Sequence, residues 1–334
     1  MILLKIMGKV LITGAHGFVG TNISIYLAAY RDYQLVALDI LKKTISSYNI
    51  EYTWKEIDKI NFNSINTVIH LAGKAHDTNH TSKVKEYFEI NVGLTKQVFE
   101  KFLNSNAKKF IYFSSVKAVA DSVINGMLTE EDFPNPQTPY GQSKLEAEKY
   151  LMSQLLPEGK SLFILRPAMI HGPGNKGNLN LLFNLINKGI PYPLGAFTNQ
   201  RSFTSIGNLN FVIKEFIDKE IEPGIYQVSD KETLSTNDLI ELIGEATYRN
   251  PQIWNIPASL INCFARLGTI LSLPLNSEKL KKLTENYLVS NRKLVDALGV
   301  ELPIHAREGL KITLSSLSTH HLMNSGLDHM VKNI

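Results

Sequence analysis

Tyr140 and Lys144 stand four residues apart in the stretch YGQSK, a spacing that puts both side chains on one face of a helix. An ammonium beside a phenol favours the phenolate and draws the phenol's pKa toward the working range of an acid/base catalyst. Ser115, at the end of the apolar run FIYFS, adds a hydroxyl that can donate to a substrate hydroxyl or share its proton. The three groups suit a site that moves a proton on and off an alcohol while a nicotinamide takes the hydride. Taken alone, a Tyr/Lys pair at this spacing is an ordinary pair of neighbours on a helix surface. The stretch that opens the chain changes that reading.

Residues 9–27 read KVLITGAHGFVGTNISIYL. An apolar run, Val10 to Ile12, stops at Thr13. Gly14, Gly17 and Gly20 follow at intervals of three, and a helical pattern begins. Strand, tight turn and helix are the context a dinucleotide fingerprint requires. Gly14 permits the sharp turn, Gly17 lets the backbone approach a pyrophosphate, and Gly20 lets the helix lie on the strand. The N–H groups and the positive end of the helix dipole then face the phosphates. A second apolar run, Gln34–Leu38, ends in Asp39, about 20 residues on, where an acid binds the adenosine ribose hydroxyls. Its charge repels a 2′-phosphate, so NAD is expected rather than NADP; a solvated loop acid is the plain alternative.

Further strands are expected at 51–57, 67–72, 110–114 and 162–165. They alternate with helices over 17–30, over 84–102 and from Tyr140 to Leu155. This alternation predicts a doubly wound parallel α/β sheet. Ligands of such sheets lie beyond the carboxyl ends of the strands, where Gly14, Asp39, Ala72, Ser115 and Pro167 fall. After His171 the texture changes to GPGNKGN and seven dispersed prolines. The reading is a Rossmann-type domain over 1–171 and a smaller, mostly helical substrate lobe over 172–318, interleaved with the sheet through a strand at 225–228. A polar, frayed tail is expected over 319–334, within a polar end that starts at Ser315; a metal role for its His320, His321 and His329 is the alternative reading.

The 334 residues carry 35 Lys/Arg and 31 Asp/Glu, a net charge of +4 with no long basic run, which gives no argument for nucleic acid. One cysteine, Cys263, rules out an internal disulfide and a cysteine-clustered metal site; its apolar surroundings mark it as a buried packing residue. No metal is expected. No segment approaches the about 20 apolar residues of a membrane span. The opening MILLKIMGK is too short for a signal peptide, and Met7 is an alternative start. A cytoplasmic protein with no membrane partner is therefore expected.

The chain resembles the extended short-chain dehydrogenase/reductases of the NAD-dependent nucleotide-sugar epimerase/dehydratase group. The resemblance runs from Lys9 to about Pro303 and rests on TGAHGFVG, HLAG, NVGLT, FSSVKA, YGQSK and LRPAMIHGPG. It implies a pyrophosphate turn from Gly14, Gly17 and Gly20 with the backbone of Phe18 and Val19. Asp39 matches the ribose-binding acid. Leu71, Ala72 and Gly73 match the turn over the cofactor's ribose, which Asn91 contacts, and Ser114 and Pro167 complete the cofactor set. Ser115, Tyr140 and Lys144 match the catalytic triad. Asn178 and Leu179 resemble the segment holding a nucleotide diphosphate. Arg201 resembles an arginine that binds its phosphate, although a plain surface arginine is the other reading. The 4,6-dehydratases of the group carry an acid pair where Val116 and Lys117 follow Ser115 here, so water elimination is not expected. Met169 and Lys117 depart from the positions that face the sugar in many hexose epimerases.

The resemblance implies a UDP-sugar 4-epimerase working through a transient 4-keto sugar, with Tyr140 as acid/base. A 4-ketoreductase making a 6-deoxy nucleotide sugar for surface polysaccharide would use the same triad. A non-catalytic dinucleotide sensor is the reading from another class. Family likeness also implies a homodimer joined through a four-helix bundle of the 84–102 and 141–155 helices.

Overall fold

The computed structural model describes residues 8–30, 32–43, 47–75, 83–123, 126–175, 177–271 and 276–331. Its first part runs β1 (Lys9–Thr13), α1 (Phe18–Ala28), β2 (Gln34–Asp39), β3 (Ile50–Thr53), β4 (Thr67–His70), α2 (Val84–Phe88), α3 (Leu94–Leu103), β5 (Lys109–Phe113), α4 (Pro139–Met152) and β6 (Ser161–Pro167). The second runs β7 (Met169–His171), α5 (Asn178–Asn187), β8 (Arg201–Ser205), α6 (Ile206–Asp218), β9 (Gly224–Val228), β10 (Thr233–Leu234), α7 (Thr236–Thr247), α8 (Ala258–Ile270), α9 (Ser277–Thr284), α10 (Arg292–Leu298) and α11 (Ala306–Val331).

Seven parallel strands form one sheet in the order β3-β2-β1-β4-β5-β6-β9. The strands are apolar on both faces because helices cover both. On one face α1 and α6 place Ile23, Leu27, Leu209 and Phe216 against Val10 and Ile12. On the other, α3 and α4 place Phe99, Phe102 and Leu151 against Leu11, Val68 and Phe110. The strand order reverses between β1 and β4, so a crevice opens at their carboxyl ends, next to Thr13 and His70. A smaller sheet, β10-β8-β7, and α5, α7, α8 and α11 enclose a separate core around Phe183, Ile240, Ile243 and Leu310.

Several expectations change. The third strand stops at Thr53, because Thr53 and Glu56 form a capping box that starts a 3₁₀ turn over Trp54–Lys59. The long helix predicted over 84–102 contains a π turn at Glu89–Gly93, which turns Asn91 into the interior. Cys263 is exposed: α8 buries Ile261 and Ala265, and position 263 falls on the opposite side of the helix. The C-terminal end predicted to fray continues α11 as far as Val331. The side chains of His320, His321 and His329 and the start at Met1 or Met7 lie outside the described residues.

Candidate active site

Gly14 ends β1 with φ +66°, and a Cβ there would stand 2.8 Å from the Ala72 nitrogen. The turn is tied down by Gly14 N–H to the Leu38 carbonyl (2.9 Å) and Gly17 N–H to the Gly14 carbonyl (3.1 Å). A Cβ at Gly20 would lie 2.5 Å from both the Gly14 and Ala15 carbonyl oxygens, so α1 can rest on the turn only without a side chain there. Residues that small and that close leave backbone N–H groups at the N-terminus of α1 open to a pyrophosphate, and the cradle fits a dinucleotide. Asp39 closes the end of β2. Its carboxylate accepts from His16 N–H (2.7 Å) and Ile40 N–H (2.6 Å), which holds it at the rim of the same crevice.

The loop after β4 forms the opposite wall. His70 is fully buried between the Thr13 and Thr95 hydroxyls, at 2.7 and 3.0 Å, and burial with the Lys144 charge lowers it to about 3, so it is neutral. Thr13 Oγ1 also accepts from Ala72 N–H at 3.1 Å, which locks the carboxyl ends of β1 and β4 together. The inward Asn91 side chain accepts from Lys74 N–H (2.6 Å) and donates to the Lys74 carbonyl (3.2 Å) and to the Ser143 hydroxyl (2.8 Å). Asn91 therefore positions the Leu71–Lys74 loop against α4.

Thr138 and Pro139 start α4. Thr138 Oγ1 accepts from Gly141 N–H, and the Asp121 carboxylate accepts from Thr138 Oγ1 and from the N–H groups of Gln137 and Thr138. A Cβ at Gly141 would meet the Lys117 carbonyl at 2.3 Å, so glycine lets the start of α4 press on the turn after Ser115. That approach brings the Tyr140 phenol beside the Ser115 hydroxyl. One turn on, Lys144 Nζ donates to the Phe113 carbonyl at 2.7 Å and sits 5.0 Å from the Tyr112 ring centroid. A Cβ at Gly73 would approach Nζ to 3.2 Å, so glycine also leaves room for the ammonium.

The expectation that Lys144 lowers the Tyr140 pKa is corrected here. Burial raises the phenol, with the neighbouring Ser115 hydroxyl acting in the opposite sense. The ammonium is engaged by the Phe113 carbonyl, and its own burial lowers it to about 8 despite the Glu148 charge. A free lysine titrates at 10.5, so between about 8 and 10.5 the unfolded chain binds more protons and the folded state gains stability as the pH rises. The stability margin of wild type over Lys144→Met, followed by thermal unfolding, should therefore move in wild type's favour across that range. A margin independent of pH would contradict it.

Beneath the triad lies a pair that sequence reading missed. Arg166, at the end of β6, makes a two-pronged contact with Glu148 on α4, Nε to Oε1 at 2.9 Å and Nη2 to Oε2 at 2.6 Å, and both side chains are buried. The Ser114 hydroxyl donates to the same carboxylate. Glu148 follows Lys144 by four residues, which is the one local signal that could have found it.

The predicted residues gather in one crevice with two connected halves. One, about 730 Å³, is bounded by Gly14, Gly17, Asp39, Leu71, Ala72 and Gly73. The other, about 520 Å³, adds Phe18, Val19, Gly20, Ser114, Ser115, Tyr140, Lys144 and Pro167. His16, Trp54 and Lys74 also border the crevice and were not anticipated; Lys74 directly follows HLAG and lines both halves. The substrate set does not border it. Asn178 opens α5, with its side chain outside the described residues, and Leu179 is buried in the core of the second lobe. Arg201 begins β8, where burial lowers its pKa. No group of His, Cys, Asp and Glu among the described residues could hold a metal ion. No helix there is long and apolar enough to cross a membrane.

Comparison with known proteins follows the same outline. The profile of the NAD dependent epimerase/dehydratase family matches residues 10–229. A UDP-glucose 4-epimerase of Vibrio cholerae is 30% identical over 319 residues, spanning 92% of this chain and 95% of that protein. An N-acetyl-α-D-glucosaminyl-diphospho-ditrans,octacis-undecaprenol 4-epimerase of Escherichia coli O157:H7 is 29% identical over 330 residues, 93% and 96% of the two chains. In fold, the chain is similar to MoeE5 in complex with UDP-glucuronic acid and NAD, with a TM-score of 0.73 over 94% of this chain and all of that one, at 21% identity.

Proposed function

The chain belongs to the NAD dependent epimerase/dehydratase family, and from that premise we propose that it inverts C4 of a sugar carried on a diphosphate, with a UDP-hexose or UDP-N-acetylhexosamine as substrate. The observation that carries this reading is that Tyr140, Ser115 and Lys144 line the same glycine-bounded crevice, the phenol beside the Ser115 hydroxyl and the lysine one helical turn away. NAD, when bound, supplies the hydride acceptor. Gly14, Gly17, Gly20, Phe18 and Val19 would hold its pyrophosphate, and Asp39 its adenosine ribose. Leu71–Gly73, Asn91, Ser114 and Pro167 would frame the nicotinamide half.

Tyr140 takes the proton of the 4-hydroxyl, and the neighbouring Ser115 hydroxyl shares it. Lys144 holds positive charge beneath the phenolate once it turns from the Phe113 carbonyl. The resulting 4-keto sugar turns within the pocket so that its other face would meet the returning hydride at C4, and Tyr140 returns the proton to O4. Arg201 and the Asn178–Leu179 segment are assigned to the diphosphate. Val116 and Lys117 after Ser115 offer no carboxylate for removing water, which speaks against a dehydratase.

Purified protein should interconvert UDP-glucose or UDP-N-acetylglucosamine with its 4-epimer without added reductant. No turnover of these, nor of the same sugars on the undecaprenyl diphosphate named for the E. coli relative, would refute the reading. Stoichiometric consumption of added NAD(P)H would point instead to the 4-ketoreductase, which needs the same triad. We also propose a homodimer through α2–α3 and α4, which pack side by side with Val84 and Met152 exposed; a single-chain mass in light scattering would refute it.

A further inference from the structure

α8 carries apolar residues on two sides and polar ones, Ser259, Asn262, Arg266 and Thr269, on a third. Ile261 and Ala265 pack into the second lobe, at 6% and 1% exposed. Leu260, Cys263, Phe264, Leu267 and Leu271 form a continuous stripe on the opposite side, at spacings of three and four, with Phe264 61% and Leu271 65% exposed. Single exposed leucines are ordinary, but a contiguous stripe is not. An exposed apolar stripe flanked by a polar face that carries Arg266 is the pattern of a helix lying in a membrane interface. Trp254, just before α8, and Leu283, on α9, are half-exposed as well.

The charges around the stripe decide what covers it. Between the end of α7 and the end of α9, residues 248–284 hold five Lys/Arg (Arg249, Arg266, Lys279, Lys281 and Lys282) and one acid, Glu278. That excess equals the net charge of +4 of the entire chain, so the rest of the molecule is formally neutral. From residue 248 to residue 277 there is no carboxylate at all. Two copies joined through this face would bring like charges together. An anionic lipid surface would instead attract the basic residues while the apolar side chains enter the boundary between headgroups and acyl chains.

We propose that α8, with Trp254, Arg249, Arg266 and Lys281, docks the protein on the surface of an anionic membrane without crossing it. The expectation of no membrane partner rested on span length, a requirement that an interfacial helix does not share. The proposal is independent of which sugar is turned over.

The test uses the full-length protein holding NAD and two kinds of vesicle, phosphatidylglycerol mixed with phosphatidylcholine, and phosphatidylcholine alone. Wild type should sediment with the anionic vesicles and not with the neutral ones, and rising salt should release it. An environment-sensitive fluorophore on Cys263, the one cysteine of the chain, should shift to shorter wavelength on the anionic vesicles only. The double substitution Phe264→Glu and Leu267→Glu should weaken vesicle binding at least about tenfold, with NAD content and melting temperature unchanged. Wild type that stays in solution with anionic vesicles, or a double variant that sediments as wild type does, would overturn the proposal. It would equally be overturned if the double substitution instead halved the mass seen by light scattering, which would assign the face to a second copy of the chain.

Discussion

Tyr140→Phe should lower turnover by roughly 10²- to 10⁴-fold, the range expected when a positioned acid/base group is lost. The phenol lines the crevice beside a second hydroxyl, Ser115, and is placed to exchange a proton with a sugar hydroxyl. Phenylalanine keeps the ring, including its edge contact with Tyr87 at 6.4 Å between centroids. The variant should therefore retain NAD and melt close to wild type. Adding Lys144→Met to it should cost little more, because groups that act as a unit lose their effect together. Turnover within a few-fold of wild type would remove Tyr140 from the chemistry. Loss of NAD along with activity would mean that the substitution had disturbed the crevice rather than the proton.

Glu148→Gln should destabilise the fold by about 3–5 kcal/mol, the usual result of leaving a buried charge without its partner. Arg166 is 2% exposed and Glu148 fully buried, so water cannot replace the lost carboxylate charge. Two further groups depend on the same carboxylate: the Ser114 hydroxyl donates to it, and its charge opposes the lowering of the Lys144 pKa. The substitution should therefore loosen the crevice as well as the fold. Denaturant unfolding measures the loss. The double substitution Glu148→Leu and Arg166→Met should recover much of it, since an apolar pair of similar volume often matches a buried ion pair. An unfolding free energy within about 0.5 kcal/mol of wild type, the range of an ordinary surface substitution, would show that the pair is not structural.

The parts legible in the sequence were those written in local order. Gly14, Gly17 and Gly20 are separated by fixed steps along one turn, and Tyr140 and Lys144 by one turn of one helix. Both spacings survive unchanged in three dimensions. The strands β1, β4 and β5 were readable because burial on both faces leaves an unbroken apolar run. Contacts between distant segments were not legible. Glu148 and Arg166 lie on different elements, and neither position alone announces a partner. The small sheet went unread because β7, β8 and β10 are short and their pairing closes only after the chain has passed through the main sheet. Cys263 was misplaced because α8 is apolar on both sides, so its pattern does not say which side faces inward. The effect of Lys144 on Tyr140 was misjudged because spacing gives proximity but not direction, and the ammonium is turned toward the Phe113 carbonyl.

The central claim is that one crevice removes hydrogen from C4 and returns it to the same carbon. The most direct measurement follows a deuterium label at C4 of the diphosphate-linked sugar during turnover without external reductant. Retention of the label at C4 in both epimers is the predicted result. Exchange of the label into water during interconversion would contradict it.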